Sequence, residues 1–399
     1  MSTPGAPVLV RRKPWPPEPP FVFFDGTRGP ASRSFLASAP SAILTELDGR
    51  FVELPGGRAV DPSEWLLQNE REILAGFLGY ELAWYTLDPR ALMPRSRAPR
   101  LWIGRFDSLR EVDDLELRSG GSLSPIVPDV DGATYGDNVA ACVGDIWDGE
   151  LFEINYTERF RARWAGSAPA FYQRLREVST GGWFGLLDAG AFAVASASPE
   201  AFLDIRDGRV VTRPIKGTRP RSDDPKVDAA LAGELVASEK DRAENVMIVD
   251  LMRNDLSRVC RPGSVGVDAV CALESFAGVH HLVSTVHGEL AAGITPLEAL
   301  LSCFPAGSIT GAPKLRAIEI AAEREGSPRG PYTGSMFVSH PDGWLASNVL
   351  IRTATLHRTA PELFDVDYGA GGAVVADSIP EAEWDEALTK TAPLRRVAR

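Results

Sequence analysis

The chain has 399 residues, 44% of them hydrophobic, so it is long enough to bury one large core or two smaller ones. Its formal net charge of -12 argues against a nucleic acid or an anionic membrane as a partner. The four cysteines are scattered without a C-x-x-C pair, and no apolar run is long enough to span a bilayer. Because Arg11-Arg12-Lys13 precedes a proline-rich stretch and not an apolar one, no signal peptide is expected, and the composition predicts a globular cytoplasmic protein.

The N-terminal part of the chain is predicted to be rich in strands. Residues 1–20 contain many prolines and are expected to form a flexible N-terminus. In residues 21–125, short apolar runs between turn residues predict strands, with one helical stretch at 62–78. Residues 118–133, rich in Gly, Ser, Pro and Asp, are expected to be the main linker to a larger region at 135–397.

Residues 135–397 carry patterns of both helices and strands in an irregular order. Apolar residues recur at near-helical spacing through the longest predicted helix, which ends before Pro262-Gly263. The predicted helices are 136–147, 168–177, 227–259, 314–323 and 381–396, and the predicted strands are 153–164, 184–196, 200–212, 332–340, 344–356 and 363–375. The large strand content and the few regular βαβ units favour an α+β layered fold over a Rossmann-type sheet.

Lys216 lies in the segment RPIKGTR at 213–219, directly after a predicted strand at 208–212. The proline and glycine beside it exclude a helix and predict that the strand breaks into a loop at the lysine. Because Arg213 and Arg219 flank Lys216, their charges are expected to lower its pKa and to favour the neutral, nucleophilic amine. On this segment alone, a solvated lysine in a basic loop is the commoner case.

Two predicted helices each carry a pair of acidic residues three positions apart, Asp241 with Glu244 and Glu383 with Glu386. Each pair projects from one helix face. Such pairs are usually solvated surface, and spacing alone does not bring the two helices together. If the helices converge, the four carboxylates would repel one another unless a hard divalent cation such as magnesium lies among them.

Other candidate site residues lie in loops and strands. Ser308 opens a small-residue loop that feeds a predicted helix, a position suited either to binding a carboxylate or phosphate or to ordinary helix capping. The glycines at 369–372 allow close approach to the backbone. Arg352, in a strand-like segment, is either paired in the core or a clamp for a carboxylate. His281, taken alone, is more typical of a hydrogen-bonded core histidine.

Seven motifs, taken in chain order from SPE at 198–200 to GAGGAVVADS at 369–378, resemble those of the chorismate-utilising enzymes. This family includes anthranilate synthase component I, aminodeoxychorismate synthase component I and the isochorismate and salicylate synthases. The resemblance covers residues 135–397 strongly and 35–85 weakly. It implies an α/β sandwich, with two antiparallel sheets packed together, helices outside, and the active site in a cleft. The motifs that carry it are SPE at 198–200, PIKGT at 214–218, DRAENVMIVDLMRND at 241–255, HHLVS at 280–284, GSITGAPK at 307–314, IRT at 351–353 and GAGGAVVADS at 369–378.

The lysine favours one branch of this family. Anthranilate synthases typically carry alanine at the position of Lys216, whereas aminodeoxychorismate synthases typically carry PIKGT. The resemblance implies that Lys216 attacks C2 of chorismate while the C4 hydroxyl leaves, and that ammonia then adds at C4 and displaces the lysine. Glu200 matches the general acid that protonates the departing hydroxyl. The implied product, 4-amino-4-deoxychorismate, serves para-aminobenzoate and folate biosynthesis or an aminobenzoate-derived secondary metabolite.

The resemblance also implies ligands for a metal and for the substrate. Glu244 and Glu386 match the principal magnesium ligands, with Asp241 and Glu383 beside them through water. The residues expected around the substrate are Arg352, Tyr332, Gly369, Gly371 and Gly372 at its carboxylates, His281 and Ser308 near the ring carboxylate, and Thr218.

Two positions depart from the family pattern. Glu153 stands where amine-adding members usually have glutamine and water-adding members have lysine, which argues against isochorismate or salicylate synthesis and leaves the nitrogen step open. Ala37 replaces the acidic residue of the tryptophan-site motif L-x-S-A, so tryptophan binding stays an open question.

The source of nitrogen is expected to lie outside this chain. No cysteine lies in a G-x-C-x-G nucleophile turn, so the predicted partners are chorismate, ammonia and a separate glutamine amidotransferase subunit. No pyridoxal-phosphate lyase portion is expected, so the product should remain 4-amino-4-deoxychorismate. The alternatives are an anthranilate synthase or a 2-amino-2-deoxyisochorismate synthase component I. A silent chorismate-binding regulatory subunit is disfavoured because Glu200, Lys216, Glu244 and Glu386 are all present.

Overall fold

The computed structural model describes residues 17–26, 33–112, 120–276 and 278–398. Most of the predicted flexible N-terminus lies outside these ranges. The strands in the described ranges are, in chain order, β1 (Phe21–Asp25), β2 (Ser34–Ser38), β3 (Ala42–Leu47), β4 (Arg50–Leu54), β5 (Arg58–Ala59), β6 (Ile73–Leu78), β7 (Leu101–Phe106), β8 (Arg110–Glu111), β9 (Ser122–Leu123), β10 (Val127–Pro128), β11 (Glu153–Ala165), β12 (Trp183–Asp188), β13 (Phe192–Ser198), β14 (Ala201–Arg206), β15 (Arg209–Thr212), β16 (Ile215–Pro220), β17 (Gly266–Ser275), β18 (Val279–Glu289), β19 (Gly311–Ala312), β20 (Ser335–Ser339), β21 (Leu345–Asn348), β22 (Thr353–Ala360) and β23 (Leu363–Val374).

The helices pack outside these strands. In the same ranges they are α1 (Pro62–Gln68), α2 (Ala83–Thr86), α3 (Gly132–Trp147), α4 (Ala168–Val178), α5 (Pro225–Ala237), α6 (Glu239–Ser257), α7 (Pro296–Cys303), α8 (Lys314–Arg324), α9 (Pro380–Lys390) and α10 (Ala392–Val397), with 3-10 turns at Tyr80–Leu82 and Gly307–Ile309. None of these helices is long and apolar enough to cross a membrane.

The strands form two antiparallel sheets, which confirms the predicted α+β sandwich. The first sheet has the order β10-β11-β23-β22-β13-β12-β1-β2-β8, with β9 and β19 also paired to β11. The second has the order β16-β18-β15-β14-β21-β20-β6-β7-β3-β4-β5, with β17 paired to β18. Each sheet contains strands from both 21–125 and 135–397, so the two sequence regions build one sandwich. The prediction of a linker was wrong for 120–128, because β9 and β10 both pair with β11.

Alternation along β1 shows why its sequence is apolar throughout. Val22 and Phe24 lie in the core between the two sheets, together with Phe77 and Met336 of the second sheet. The intervening aromatic residues of β1 face the other way, into the core between the first sheet and helices α4 and α10. Ala37, where the tryptophan-site motif would have an acid, is buried in the same core between the sheets.

Three predicted helices have different bounds from those expected, and one of them, 381–396, is divided into α9 and α10 at Thr391. The stretch 62–78 contains helix α1 only to Gln68 and then strand β6, because a short apolar run that is buried on both faces has no periodicity to distinguish it from a helix. The stretch 227–259 is two helices, α5 and α6, which meet at Ser238. The side chain of Ser238 caps α6 by accepting a hydrogen bond from the backbone N–H of Asp241.

Candidate active site

Lys216 lies on the edge strand β16, and the predicted loop was wrong. Strand β16 pairs with β18, and the register shifts between Lys216 and Thr218, which indicates a β-bulge at Gly217. Gly217 has a φ of 77°, and a Cβ there would lie 2.9 Å from Leu235 and 3.0 Å from Asp241. A proline and a glycine next to a lysine therefore fit an irregular edge strand as well as a loop.

The Lys216 ammonium is buried against a carboxylate. Its Nζ donates a 2.8 Å hydrogen bond to Glu153 Oε1, and the two side chains are only 10% and 1% exposed. Burial works to lower the pKa of Lys216, but the negative charges of Glu153, Glu244 and Glu200 outweigh it and hold this pKa above its ordinary value. The resting lysine is therefore protonated near neutral pH.

The flanking arginines do not act on Lys216 as predicted. Arg213 forms an ion pair with Glu274. Arg219 donates to Glu234 Oε1 at 2.8 Å and to Asp241 Oδ2 at 3.3 Å. Their charges are neutralised by these partners, so the predicted lowering of the Lys216 pKa was wrong, and the carboxylates around the lysine decide its protonation.

Glu200 lies between β13 and β14 and is buried. Its Oε1 accepts a 2.6 Å hydrogen bond from the Ser308 hydroxyl, which comes from the turn Gly307–Ile309. Burial raises the pKa of Glu200 to about 7. A carboxyl group with this pKa carries a proton in much of the population at neutral pH, so it can act as a general acid.

The predicted site residues Thr218 and His281 lie together on the paired strands β16 and β18. The Thr218 hydroxyl is 2.9 Å from His281 Nδ1. Burial lowers the pKa of His281 to about 4, so the imidazole is neutral at pH 7. His281 also lines a small pocket together with Pro199 and Phe276, and this pocket reaches the residue next to Glu200.

The glycine run in β23 brings the backbone close to three different neighbours. A Cβ on Gly369 would lie 2.1 Å from the Tyr332 ring, and one on Gly371 would lie 2.1 Å from the Tyr156 carbonyl oxygen. A Cβ on Gly372 would lie 2.9 Å from Glu383 Oε2 and 3.1 Å from Glu386 Oε1. The run therefore joins Tyr332 to the acidic face of α9.

Arg352 lies in the turn between β21 and β22, with a φ of 51°. Burial raises the pKa of Tyr332 well above its ordinary value and that of Tyr368 to about 12, and the Arg352 charge opposes both shifts, which indicates that the guanidinium is near both rings. Among the described residues, Arg352 has no carboxylate partner within ion-pair distance. It can therefore serve as a carboxylate clamp, one of the two roles predicted for it.

One carboxylate on each of the two acidic helix faces interacts with the same two lysines. Burial raises the pKa of Glu244 on α6 to about 7, and Lys216 and Lys240 oppose this rise. Partial burial also works to raise the pKa of Glu386 on α9, but Lys390 together with Lys216 and Lys240 holds it below its ordinary value. Glu244 and Glu386 are therefore near the same positive charges, although they belong to different helices.

Of the two acidic pairs, the pair on α9 is the better placed to hold a hard cation. Glu383 Oε1 accepts from the Ser378 hydroxyl at 2.7 Å, whereas Oε2 is buried and has no hydrogen-bond partner among the described residues. Glu386 is half exposed and pairs with Lys390 at 2.6 Å. Asp241 is already bonded to Arg219, and no three potential ligand side chains in the described ranges are close enough to share an ion. Two carboxylates with water and a substrate oxygen suit magnesium, so these residues fit it.

Arg329, which was not predicted from the sequence, connects several elements of the site through hydrogen bonds. Its guanidinium donates to the carbonyl oxygens of Asn155 at 2.6 Å and Ile309 at 3.1 Å, and it pairs with Glu325 at 2.6 Å. Glu81 accepts hydrogen bonds from the backbone N–H groups of Arg329 and the next residue. This network fixes the loop before Tyr332 against β11 and the turn that carries Ser308. Nothing in the sequence pattern singles it out.

Comparison with known proteins identifies the family to which this geometry belongs. The chain is 44% identical over 260 residues to an aminodeoxychorismate synthase from Streptomyces griseus, covering 65% of this chain and 35% of the relative. It is 41% identical over 256 residues to aminodeoxychorismate synthase component 1 from Salmonella typhimurium, covering 64% and 55%. Anthranilate synthase component 1 from Thermus thermophilus is 42% identical over 260 residues, covering 65% and 55%. The matched segment thus spans between about a third and a little over half of these relatives.

Solved structures and a family model agree with these relatives. Anthranilate synthase component I from Streptococcus pneumoniae has a TM-score of 0.79 at 25% identity, covering 92% of each chain. The menaquinone-specific isochorismate synthase from Escherichia coli shares the fold, with a TM-score of 0.73 at 19% identity, covering 95% of this chain and 89% of the other. The model of the chorismate binding enzyme family matches residues 53–396. The chain belongs to the family of chorismate binding enzymes.

Proposed function

We propose that the protein aminates chorismate at C4 to give 4-amino-4-deoxychorismate, with magnesium and with ammonia from a separate glutamine amidotransferase subunit. The observation that carries the proposal is a lysine buried in an acidic cleft. Lys216 Nζ lies 2.8 Å from Glu153, and its charge acts on Glu200, a carboxyl group with a pKa raised by burial to about 7. A nucleophile and an acid beside one another suit substitution of a hydroxyl group.

The steps assigned to this chain's residues are those that the resemblance to the aminodeoxychorismate synthases implies. Lys216 attacks C2 of the chorismate ring while Glu200 gives its proton to the hydroxyl leaving C4. Ammonia then adds at C4 and displaces the lysine from C2. The covalent route replaces one difficult substitution with two easier ones.

The remaining residues of the cleft hold the substrate. Arg352, without a carboxylate partner in the described ranges, binds one carboxylate of the dianion, with Tyr332 and the backbone of Gly369 and Gly371 beside it. Neutral His281 and Thr218 lie on the side of the cleft assigned to the chorismate ring.

Glu383 and Glu386 would hold magnesium, and Glu244 would add its negative charge nearby. When bound, this ion neutralises part of the charge between the acidic cleft and the dianionic substrate. The acidic protein can therefore accept an anionic substrate at this end of the cleft.

A second candidate is anthranilate synthesis, because a relative with that name is as similar as those named for aminodeoxychorismate. Lys216 favours the amination at C4. The test is to incubate the purified chain with chorismate, magnesium and ammonium chloride and to identify the product by mass and proton NMR. Anthranilate has lost pyruvate and differs in mass, while 2-amino-2-deoxyisochorismate is an isomer that only the ring protons distinguish. Either of these products would overturn the proposal.

The nitrogen source is tested with the same assay. We expect the isolated chain to use ammonium but not glutamine, and to gain glutamine-dependent activity when an amidotransferase subunit is added. Glutamine-driven turnover by the isolated chain would contradict the proposed partner.

A further inference from the structure

We propose that Glu153 is a catalytic base, which takes the ammonium proton of Lys216 before the lysine attacks and returns it when the lysine leaves. This inference rests on the proposed function and deepens it. A protonated lysine has no lone pair for attack, so the covalent route needs a group that removes this proton inside a buried site.

Glu153 is the direct hydrogen-bond partner of the lysine. It is the first residue of β11, where it pairs with Ala312 of β19, and its side chain is 1% exposed. Its Oε1 accepts from Lys216 Nζ at 2.8 Å, and its Oε2 is buried with no hydrogen-bond partner in the part of the chain that the structure describes. A buried carboxylate with an unsatisfied oxygen is costly, and a catalytic role is one explanation for such an exception.

A second buried lysine pair in the same protein shows what a structural pair is like. Lys314 Nζ donates to Asp255 Oδ2 at 2.6 Å and also to the Cys303 carbonyl oxygen at 3.0 Å. The other oxygen of Asp255 accepts from Arg258 at 2.6 Å. Both oxygens of Asp255 are therefore bonded, whereas among the described residues Glu153 has a hydrogen-bond partner for only one of its two oxygens.

Four carboxylates interact with the charge of Lys216, each from a different element, and only one is suited to be its base. Glu200, between β13 and β14, has its Oε1 bonded to Ser308 and is assigned to the leaving hydroxyl. Glu244, from α6, and Glu386, from α9, lie on the faces assigned to the cation. Glu153, from β11, is the one of the four within hydrogen-bond distance of Nζ.

With these assignments, every proton that is transferred during the reaction has a donor and an acceptor. Glu153 takes a proton from Nζ, and the lone pair that is released forms the bond to C2. The C4–O bond breaks, and the hydroxide leaves as water with the proton of Glu200. Ammonia then bonds to C4, the C2–N bond breaks with its electron pair on Nζ, and Glu153 returns its proton to the lysine. The new C4 ammonium group gives one proton to Glu200, which restores the resting site.

The test measures the lysine attack alone. The full chain is mixed with chorismate and magnesium without ammonia, quenched in acid, and the ring-bound chain is quantified by intact mass against time. Glu153→Gln has the same shape and no basic oxygen, so we expect attack at pH 7 to be about 100-fold slower or more. Glu150→Gln, an exposed residue of the same segment, is the control and should react as the wild type does.

The pH dependence separates a base from a structural partner. Without Glu153, attack needs lysine that has lost its proton to solvent, so the ratio of wild-type to Glu153→Gln rates should fall about tenfold per pH unit between pH 6.5 and 8.5. Taking the ratio cancels the titration of Glu200. Glu153→Asp keeps a carboxylate, so it should be slower than the wild type at a ratio that does not change with pH.

The possible outcomes distinguish the role of Glu153 from the covalent route and from the amination at C4. Equal rates for the wild type and Glu153→Gln, or a ratio that is independent of pH for the glutamine variant, would overturn the role of Glu153 while the covalent route stands. No adduct with the wild type would overturn the covalent route and the base with it. An adduct with the wild type followed by anthranilate as the product would overturn only the proposed amination at C4.

Discussion

The Ser308 hydroxyl donates a 2.6 Å hydrogen bond to Glu200 Oε1, and this bond joins the turn before α8 to the junction of β13 and β14. A hydrogen bond to the charged form of a carboxyl group lowers its pKa. Ser308 therefore limits how far burial can raise the pKa of Glu200, and so sets the pH at which the acid loses its proton.

Removing that hydroxyl should move the alkaline limb of the reaction. In Ser308→Ala the pKa of Glu200 should rise above about 7, by roughly one unit, because about 1.5 kcal/mol of stabilisation of its charged form is lost. Glu200 is active when protonated, so the fall in the rate of adduct formation above neutral pH should shift upward. Ser347→Ala removes a buried hydroxyl bonded to Leu203 and serves as the control. A shift of the limb to lower pH, or none, would refute the link between Ser308 and the acid.

Magnesium should stabilise the folded chain through α9. The ion binds carboxylates in their charged form, and burial raises the pKa of Glu383 and, to about 7, that of Glu244. The stabilisation should therefore be larger at pH 8 than at pH 6. We expect saturating magnesium to raise Tm by about 2–5 °C at pH 8 in the wild type.

The variants for this measurement lie on one helix. Glu383→Gln should lose most of the Tm increase, because it removes the buried oxygen that lacks a partner. Glu381→Gln, an exposed acidic residue in the first turn of α9, should keep it. An increase of equal size in both variants would exclude Glu383 from the metal site.

Gly369→Ala should impair substrate binding more than it impairs folding. The added methyl group would lie 2.1 Å from the Tyr332 ring, so the ring must move, at a cost of about 1–3 kcal/mol in unfolding free energy. Because Tyr332 is assigned to the substrate carboxylate, the KM for chorismate should rise about tenfold, as measured by initial rates. Gly233→Ala on α5, which has open space around it, should stabilise the chain by about 0.5–1 kcal/mol and leave KM unchanged. An unchanged KM in Gly369→Ala would remove Tyr332 from the substrate site.

The sequence predicts the layered fold because strand patterns are local. The strand predicted at 153–164 occurs as β11, and the sheet type follows from the resemblance. The break between α5 and α6 was missed because Ser238 caps one helix at the point where the other ends, within a continuous helical pattern. The error at β6 has a similar origin, since an apolar run buried on both faces lacks a period.

The candidate site was also predicted only in part. The sequence motifs identified the lysine, the general acid and the acidic pairs, because each lies in a short contiguous segment. The contact between Glu153 and Lys216 joins residues 63 positions apart, and it brings β11 of the first sheet against β16 of the second. The pKa of Lys216 was predicted in the wrong direction for this reason. Neighbours along the chain were visible in the sequence, whereas the carboxylates that surround the lysine come from distant elements.

The proposed covalent route is tested most directly by finding which residue forms the bond to the substrate ring. The wild-type chain is mixed with chorismate and magnesium without ammonia, quenched, digested and mapped by mass spectrometry. We expect a ring adduct on the peptide that contains Lys216 and no adduct in Lys216→Ala. When ammonia is added, the adduct should disappear as 4-amino-4-deoxychorismate forms. An unmodified Lys216 peptide, together with wild-type product rates in Lys216→Ala, would contradict the covalent role of Lys216.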